Sequence, residues 1–561
     1  MGNEYLLPLS AAVGFVFFSA FLAFVWLRGQ ALVHYFEEQE FTTEAFFVWV
    51  IRKRAFDKRA SWILIPSFVA WYATQRFLPD LINPLVLNPV FYGIIFIALV
   101  IGALSSYETT RAAGKYKDIS PRAKRIHTGY MALMGAYFAT IFANQTGSEI
   151  LFLTLAFLAF FQAPPLFIVA ANFIMRPWEK IREKRNLSQA KLKLSKLSPV
   201  IIAITGSHGK TMAKHLLTHI LSANKPTLTT PDNVEGAQGI CDTILQDLKN
   251  HHRYFVIEME GHGLGIIKKL CQLAPPNLGI ITSIALGQSK RLRTLERVFR
   301  ANFELADDLM SRRERTILNA DAMPEDLLNA FTTKNPNVLF CGGEKSSFDL
   351  DIVLKKGAQG NNGLDLTLGL NQKGRQETLE LQVPLYGSHN CYNIMLAVAA
   401  ALELGQSTEV IQNALKTVPQ IPHRLEVIQG VKGPTVIDDS YNSFSEGFKS
   451  ALKVLSDLRK PKGRCILVTP GLVEMGTAHD AEHKKLGEMA GKHVDVALII
   501  GPRRMSTFMS AFNSTKEKGA QLRTFDTQSD ANDWIKQNAD NNDIILFEAS
   551  LPTLYDTRVK F

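Results

Sequence analysis

SPVIIAITGSHGKTMAKHLLTHIL, Ser198–Leu221, decides the fold. Val200–Thr205 has the apolar, β-rich character of a buried strand, and the segment from Lys210 reads as a helix. Between them lies GxxGKT, made of Gly206, Ser207, His208, Gly209, Lys210 and Thr211. Glycines let a backbone turn tightly and approach a phosphate. The lysine reaches the β and γ phosphates, the threonine hydroxyl suits Mg2+, and the helix N-terminus adds partial positive charge. The longer GxxxxGKT pattern needs glycine at 204, where Ile204 stands. The strand before the shorter loop and the helix after it make it a nucleotide-binding candidate. Strands and helices alternate beyond it, so the expectation is an α/β architecture.

On the N-terminal side, residues 1–175 are of a different kind. LPLSAAVGFVFFSAFLAFVWL is long enough to cross a hydrocarbon core. No small-residue cleavage site follows it, so it is expected to stay on the chain. Further apolar stretches run Ser61–Leu78, Pro89–Tyr107, His127–Ala143 and Glu149–Met175. The second is interrupted by Gln75 and Arg76, and Pro164 and Pro165 predict a kink or re-entrant turn in the last. Basic residues alternate between the connections. Arg52, Lys53, Arg54, Lys58 and Arg59 follow the first span, Arg111, Lys115, Lys117, Arg122, Lys124 and Arg125 the third, and Arg176, Lys180, Arg182, Lys184 and Arg185 the fifth. Residues 79–88 and 144–148 carry no Lys or Arg. This predicts an α-helical membrane domain of five spans, with the N-terminus outside and the large C-terminal part inside, in the cytoplasm. Residues 176–197, RPWEKIREKRNLSQAKLKLSKL, form a basic connector, either a solvated helix or one resting on anionic headgroups.

The 62 Lys and Arg against 52 Asp and Glu give a net charge of +10. Much of that excess belongs to the membrane topology. There is no zinc-finger spacing and no aromatic-basic RNA signature, so nucleic acid is not an expected partner. The five cysteines, Cys241, Cys271, Cys341, Cys391 and Cys465, lack CxxC spacing and read as buried, reduced thiols.

TGSHGKT resembles the ATP loop of the Mur ligases, which join amino acids or dipeptides to bacterial cell-wall precursors. The resemblance continues in order through PDNVEGAQGI, VIEMEGHGLGIIKKL, LGIITSIALGQSKRLRTLERVFRANFEL, TILNADA, YGSHNCYNIMLAVAAAL, PHRLEVI, VIDDSYNSFSEGFKSAL and TPGLVEMG. Several of these are closest to the D-alanyl-D-alanine-adding branch. The spans, SPRAKRI and ILFEASLPTLY resemble a polytopic, membrane-bound subgroup of it. The resemblance implies a P-loop ATPase domain over 198–420, with a β-rich insertion whose Asn361-Asn362-Gly363 marks a turn, and a Rossmann-like α/β domain over 421–561.

It also implies ATP and Mg2+ as cofactors, activation of a carboxylate as an acyl phosphate, and displacement by an amine. Lys210 and Glu258 become the expected catalytic residues, with Thr211 and Glu258 holding Mg2+. Asn390 and Asn393 would lie near the adenine, Arg424 would touch ATP across the domain boundary, and Asp439 would reach the ribose or order the hinge. Tyr441 and Asn442 would line the amine site, His389 would be structural, and His423 either packing or functional. Expected partners are a nucleotide- or lipid-linked cell-wall peptide, an amino acid or dipeptide, and membrane lipids.

Three positions depart from the family. Glu260 replaces a glycine, Gln288 stands for a histidine, and Asn302 for a lysine that helps hold a second Mg2+. Membrane spans replace the domain that grips the precursor's uridine end. Two alternatives therefore stand beside peptidoglycan ligation: a ligase for another envelope polymer, of the poly-γ-glutamate-synthase type, and a nucleotide-binding scaffold that no longer ligates.

Overall fold

The computed structural model describes residues 6–39, 41–52, 57–77, 84–112, 119–143, 150–232, 234–285, 292, 294–332, 337–372, 375–429, 433–441, 444–473, 475 and 478–549. They fall into two compact units, divided between Arg182 and Glu183. That boundary lies inside the expected connector, because the connector is no separate segment. It is the second half of one helix.

The first unit is helical: α1 (Leu6–Glu38), α2 (Thr43–Arg52), α3 (Lys58–Phe77), α4 (Pro84–Ala112), α5 (Pro121–Ala143), α6 (Ile150–Gln162) and α7 (Pro164–Leu197). Among the described residues one helix, Phe15–Glu38, is long and apolar enough to cross a membrane, or two spans if the bent pair Ala156–Gln162 and Pro164–Leu197 counts as one, where five were expected. That pair bends by 69° at the expected proline position, where proline has no N–H to continue a helix. The core is aromatic: Phe24, Phe36, Phe46, Phe157, Phe160 and Phe161 are fully buried. Inside it Arg28 Nη2 meets Asp57 Oδ2 at 2.5 Å, and Gln162 exchanges two hydrogen bonds with the Asp57 backbone at 3.0 and 2.8 Å.

The second unit holds two sheets. The first contains β1 (Val200–Thr205), β2 (Thr227–Thr229), β3 (Tyr254–Glu258), β4 (Leu278–Ile281), β5 (Arg315–Asn319), β6 (Val338–Gly343), β7 (Ile352–Gly360), β8 (Gly363–Gln372) and β9 (Arg375–Val383). Their order is β2-β3-β1-β4-β5-β6-β7-β8-β9. The pairings are parallel as far as β7, and β7-β8-β9 form an antiparallel meander. The Asn361-Asn362 turn joins β7 to β8. Gly363 takes φ 129°, where an added Cβ would run into the backbone of Val383 and Pro384.

Helices α8 (Lys210–Ser222), α9 (Ala237–Gln246), α10 (Ile266–Leu273), α11 (Leu295–Ser311), α12 (Glu325–Thr332), α13 (Asn390–Glu403) and α14 (Thr408–Leu415) accompany this sheet. Both faces of β1 are buried. Ile202 and Ile204 belong to one core and Ile201 and Ala203 to another, which is why its sequence is continuously apolar rather than alternating.

The second sheet follows Arg424: β10 (Glu426–Ile428), β11 (Thr435–Asp439), β12 (Cys465–Thr469), β13 (Val496–Ile500), β14 (Gln521–Phe525) and β15 (Ile544–Glu548), in the order β10-β11-β15-β12-β13-β14. Its strands are parallel except β10. α15 (Ser445–Asp457), α16 (His479–His493), α17 (Ser506–Thr515) and α18 (Gln528–Asn538) alternate with them, giving the expected Rossmann-like layout. All five cysteines are free and buried, and burial pushes the Cys271 and Cys465 thiols up to about 12.

Candidate active site

Strand register builds the site. β1 lies between β3 and β4, with Ile204 opposite Glu258 and Thr205 opposite Ile281. The loop leaving β1 therefore emerges between the ends of two parallel neighbours. The chain reverses its crossover direction here, and open α/β sheets bind ligands at such points.

The loop is held by hydrogen bonds from the turn after β4. Ser207 N donates to Ser283 O at 2.8 Å, His208 N to Ser283 Oγ at 3.0 Å, and Ser207 Oγ to Ala285 O at 3.0 Å. Gly206 (φ 136°) and Gly209 (φ 84°) sit in the left-handed region; a Cβ on the first would strike the Thr282 hydroxyl and on the second the Asn393 amide. α8 begins at Lys210 with no side-chain cap, so its first N–H groups point out of the helix without an intrahelical acceptor. Lys210 Nζ donates to Gly206 O at 3.1 Å and lies 3.8 Å from Glu260 Oε2.

Thr211 Oγ1 donates to Glu258 Oε1 at 3.0 Å, and Glu258 is buried. A hydroxyl beside a buried carboxylate is the hard oxygen pair that Mg2+ takes, so these two residues fit the ion the sequence implies. Glu260 stands next to His262, with Oε1 3.5 Å from Nδ1, and Glu235 joins the pair within 4.8 Å.

One residue of the second lobe that was not predicted as a site residue, Phe444, meets the loop. The His208 ring stacks on Phe444 at 4.0 Å and 7°, and burial together with Lys210 holds the His208 imidazole down at about 4. The Arg424 guanidinium lies 4.4 Å over the Tyr441 ring. Asp439 Oδ1 accepts from Leu425 N at 3.0 Å, next to His423 and Leu425 with φ 62° and 53°. Asp439 is thus tied to the backbone next to Arg424, and its burial pushes its carboxyl up to about 6. His423 Nδ1 pairs with Asp438 Oδ2 at 2.7 Å. His389 Nδ1 lies 2.9 Å from Ser450 Oγ.

Asn390 and Asn393 bond within the protein: Asn390 Nδ2 donates to Tyr386 O at 2.7 Å and Asn393 Nδ2 to Asn390 Oδ1 at 3.0 Å. Both are buried, with the Asn393 amide against Gly209 of the phosphate loop. Asn302 is also satisfied internally, its Oδ1 accepting from Thr205 Oγ1 at 2.8 Å and its Nδ2 donating to Val298 O at 2.8 Å. Gln288 and Asn442 lie outside the described residues. Thr282, Ser283 and Lys214 are site residues that the motifs did not announce. Only Lys214 had a signal, its helical spacing four residues after Lys210.

Residues 204–401 match the Mur ligase middle domain and residues 423–551 the Mur ligase, glutamate ligase domain. The UDP-N-acetylmuramoyl-tripeptide–D-alanyl-D-alanine ligase of Bacillus subtilis is 26% identical over 362 residues, covering 64% of this chain and 75% of the relative. The Escherichia coli enzyme of that name is 27% identical over 302 residues, 54% of this chain and 64% of the relative. MurF from Acinetobacter baumannii superposes with a TM-score of 0.54 at 25% identity, over 66% of this chain and 77% of that one. MurF from Thermotoga maritima, solved with ADP, shares the fold with a TM-score of 0.55 at 23% identity, over 67% and 81%.

Proposed function

The chain belongs to the Mur ligase family, and we propose that it is an ATP-dependent ligase adding D-alanyl-D-alanine to a UDP-N-acetylmuramoyl tripeptide or its lipid-linked equivalent. The precursor's terminal carboxylate takes the γ-phosphoryl group of ATP, releasing ADP. The amine of the dipeptide then displaces phosphate and closes the amide bond. The observation that carries this reading is the Thr211–Glu258 pair, 3.0 Å apart at the foot of a glycine loop.

This chain's own residues do the positioning. Gly206 and Gly209 let the backbone approach the phosphates, and Lys210 turns from Gly206 O toward the transferred charge. Arg424, beside Tyr441 and the backbone tied to Asp439, approaches from the second lobe. Thr211 and Glu258 would hold Mg2+, which when bound neutralises charge on the phosphates. Preorganised charge of this sort does most of the work in phosphoryl transfer.

In this proposal the first unit anchors the enzyme in the bacterial cytoplasmic membrane, with lipid around its helices and the ligase domains in the cytoplasm. The basic alternation of its connections supports that orientation. So do the large apolar side chains exposed on the unit, among them Phe15, Trp62, Phe77, Phe173 and Trp178, a distribution water does not favour.

The test is incubation of the full chain in membranes with ATP, D-alanyl-D-alanine and UDP-N-acetylmuramoyl tripeptide, with phosphate release and pentapeptide mass measured together. Absence of pentapeptide beside a working soluble homologue counts against the reading. One observation favours the scaffold alternative: Asn302 has spent its amide on Thr205 and Val298. Nucleotide retention without phosphate release on any acceptor would select it.

A further inference from the structure

Lys214 is a buried cation outside the phosphate loop, its side chain 2% exposed. An ammonium has three N–H donors, and this one donates to Thr230 O at 3.0 Å, Asp232 Oδ1 at 3.0 Å and Pro231 O at 3.4 Å. It also forms an ion pair with Glu258 Oε2 at 3.2 Å. Lys214 follows Lys210 by four residues and Thr211 by three, so on α8 it neighbours both. The two oxygens of Glu258 are thus divided. Oε1 meets Thr211 and Oε2 meets Lys214.

Resting on the ligase reading above, we infer that Lys214 is a positioning residue for the Mg2+-holding carboxylate. It fixes the torsion of Glu258 so that Oε1 is presented beside Thr211, and it ties the segment Thr230–Asp232 to the same point. The site and the chain after β2 therefore move together. Partners that orient a metal-ligating group commonly set metal affinity by about 10- to 100-fold.

The sign of the effect separates positioning from simple charge balance. A lysine beside a metal ligand repels the metal, so if Lys214 were only a counter-ion its removal would tighten metal binding. Positioning requires the opposite.

The experiment uses the full chain in lipid nanodiscs, Mn2+ with ADP, and electron paramagnetic resonance of free Mn2+, with the melting temperature recorded alongside. Lys214→Met is expected to weaken Mn2+ binding about 10- to 100-fold. The Mg2+ activation constant should rise by a similar factor. Unchanged or tighter Mn2+ binding overturns the inference. Should that variant not fold, Lys214→Arg keeps the charge but replaces a point ammonium by a planar fork. A severalfold loss then supports the inference and parental affinity overturns it. A parent protein that holds no Mn2+ with ADP sinks the ligase reading itself, and this one with it.

Discussion

The Thr205 hydroxyl donates to Asn302 Oδ1 at 2.8 Å, joining the end of the central strand to the helix that follows β4. Asn302 is a neutral brace between strand and helix. Its second group is tied to Val298 O, one turn earlier on α11. Asn302→Ala leaves the Thr205 hydroxyl buried without this partner, and thermal unfolding should show a loss of about 1–3 kcal/mol. The Mg2+ dependence of phosphate release should stay unchanged, because the amide faces the protein. A large shift in Mg2+ requirement would show that Asn302 serves the metal after all.

Lys210→Ala should reduce ADP formation at least about 100-fold, the usual cost of losing a donor aimed at developing charge. The fold should survive, since the lysine's hydrogen-bond partner is a loop carbonyl. Far-ultraviolet circular dichroism and coupled ADP detection on the same preparation check both halves of the expectation.

His208 and Phe444 join the nucleotide loop to the second lobe through one ring stack. Such a pair contributes about 0.5–1.5 kcal/mol beyond its buried area. Phe444→Ala should therefore raise KM for ATP severalfold, and Phe444→Tyr should restore most of the loss. Steady-state kinetics with ATP as the varied substrate measure it.

His483 predicts a pH dependence. Its Nδ1 lies 2.7 Å from His479 O and its Nε2 accepts from Leu472 N at 3.1 Å, so the ring is neutral with the proton on Nδ1. Burial, the main cause, holds its pKa down at about 4, below the unfolded value near 6.5. The unfolded chain then takes up the proton first. This contribution to stability is complete above about pH 6.5 and is lost as pH falls toward 4, at about 1.4 kcal/mol per pH unit. Denaturant melts at several pH values should show a steep acid limb, shallower in His483→Gln.

In the helical unit, Asp57→Ala would strip Arg28 of its buried carboxylate. Breaking such a pair costs about 3–5 kcal/mol, so melting in detergent should shift well below the parent. Arg28→Met combined with Asp57→Ala should recover much of the loss, because the uncompensated charge is then gone too.

The sequence by itself determined the strand–loop–helix at Ser198–Leu221, the order of the α/β elements, the Asn361-Asn362 turn, the bend at Pro164 and the helical first unit. Each is a local signal, namely apolar periodicity, glycine and proline placement, or a loop whose chemistry is written in consecutive residues. It also singled out Thr211 and Glu258, which the fold brings to 3.0 Å. Only the tertiary structure decided that Asn393 backs Gly209, that Asn302 answers Thr205, and that Lys214 grips Glu258. Those partners are 44 to 184 residues apart, and what brings them together is the register of β1 between β3 and β4. A hydrogen bond is specified by where two groups arrive, and no local pattern encodes the arrival of the second.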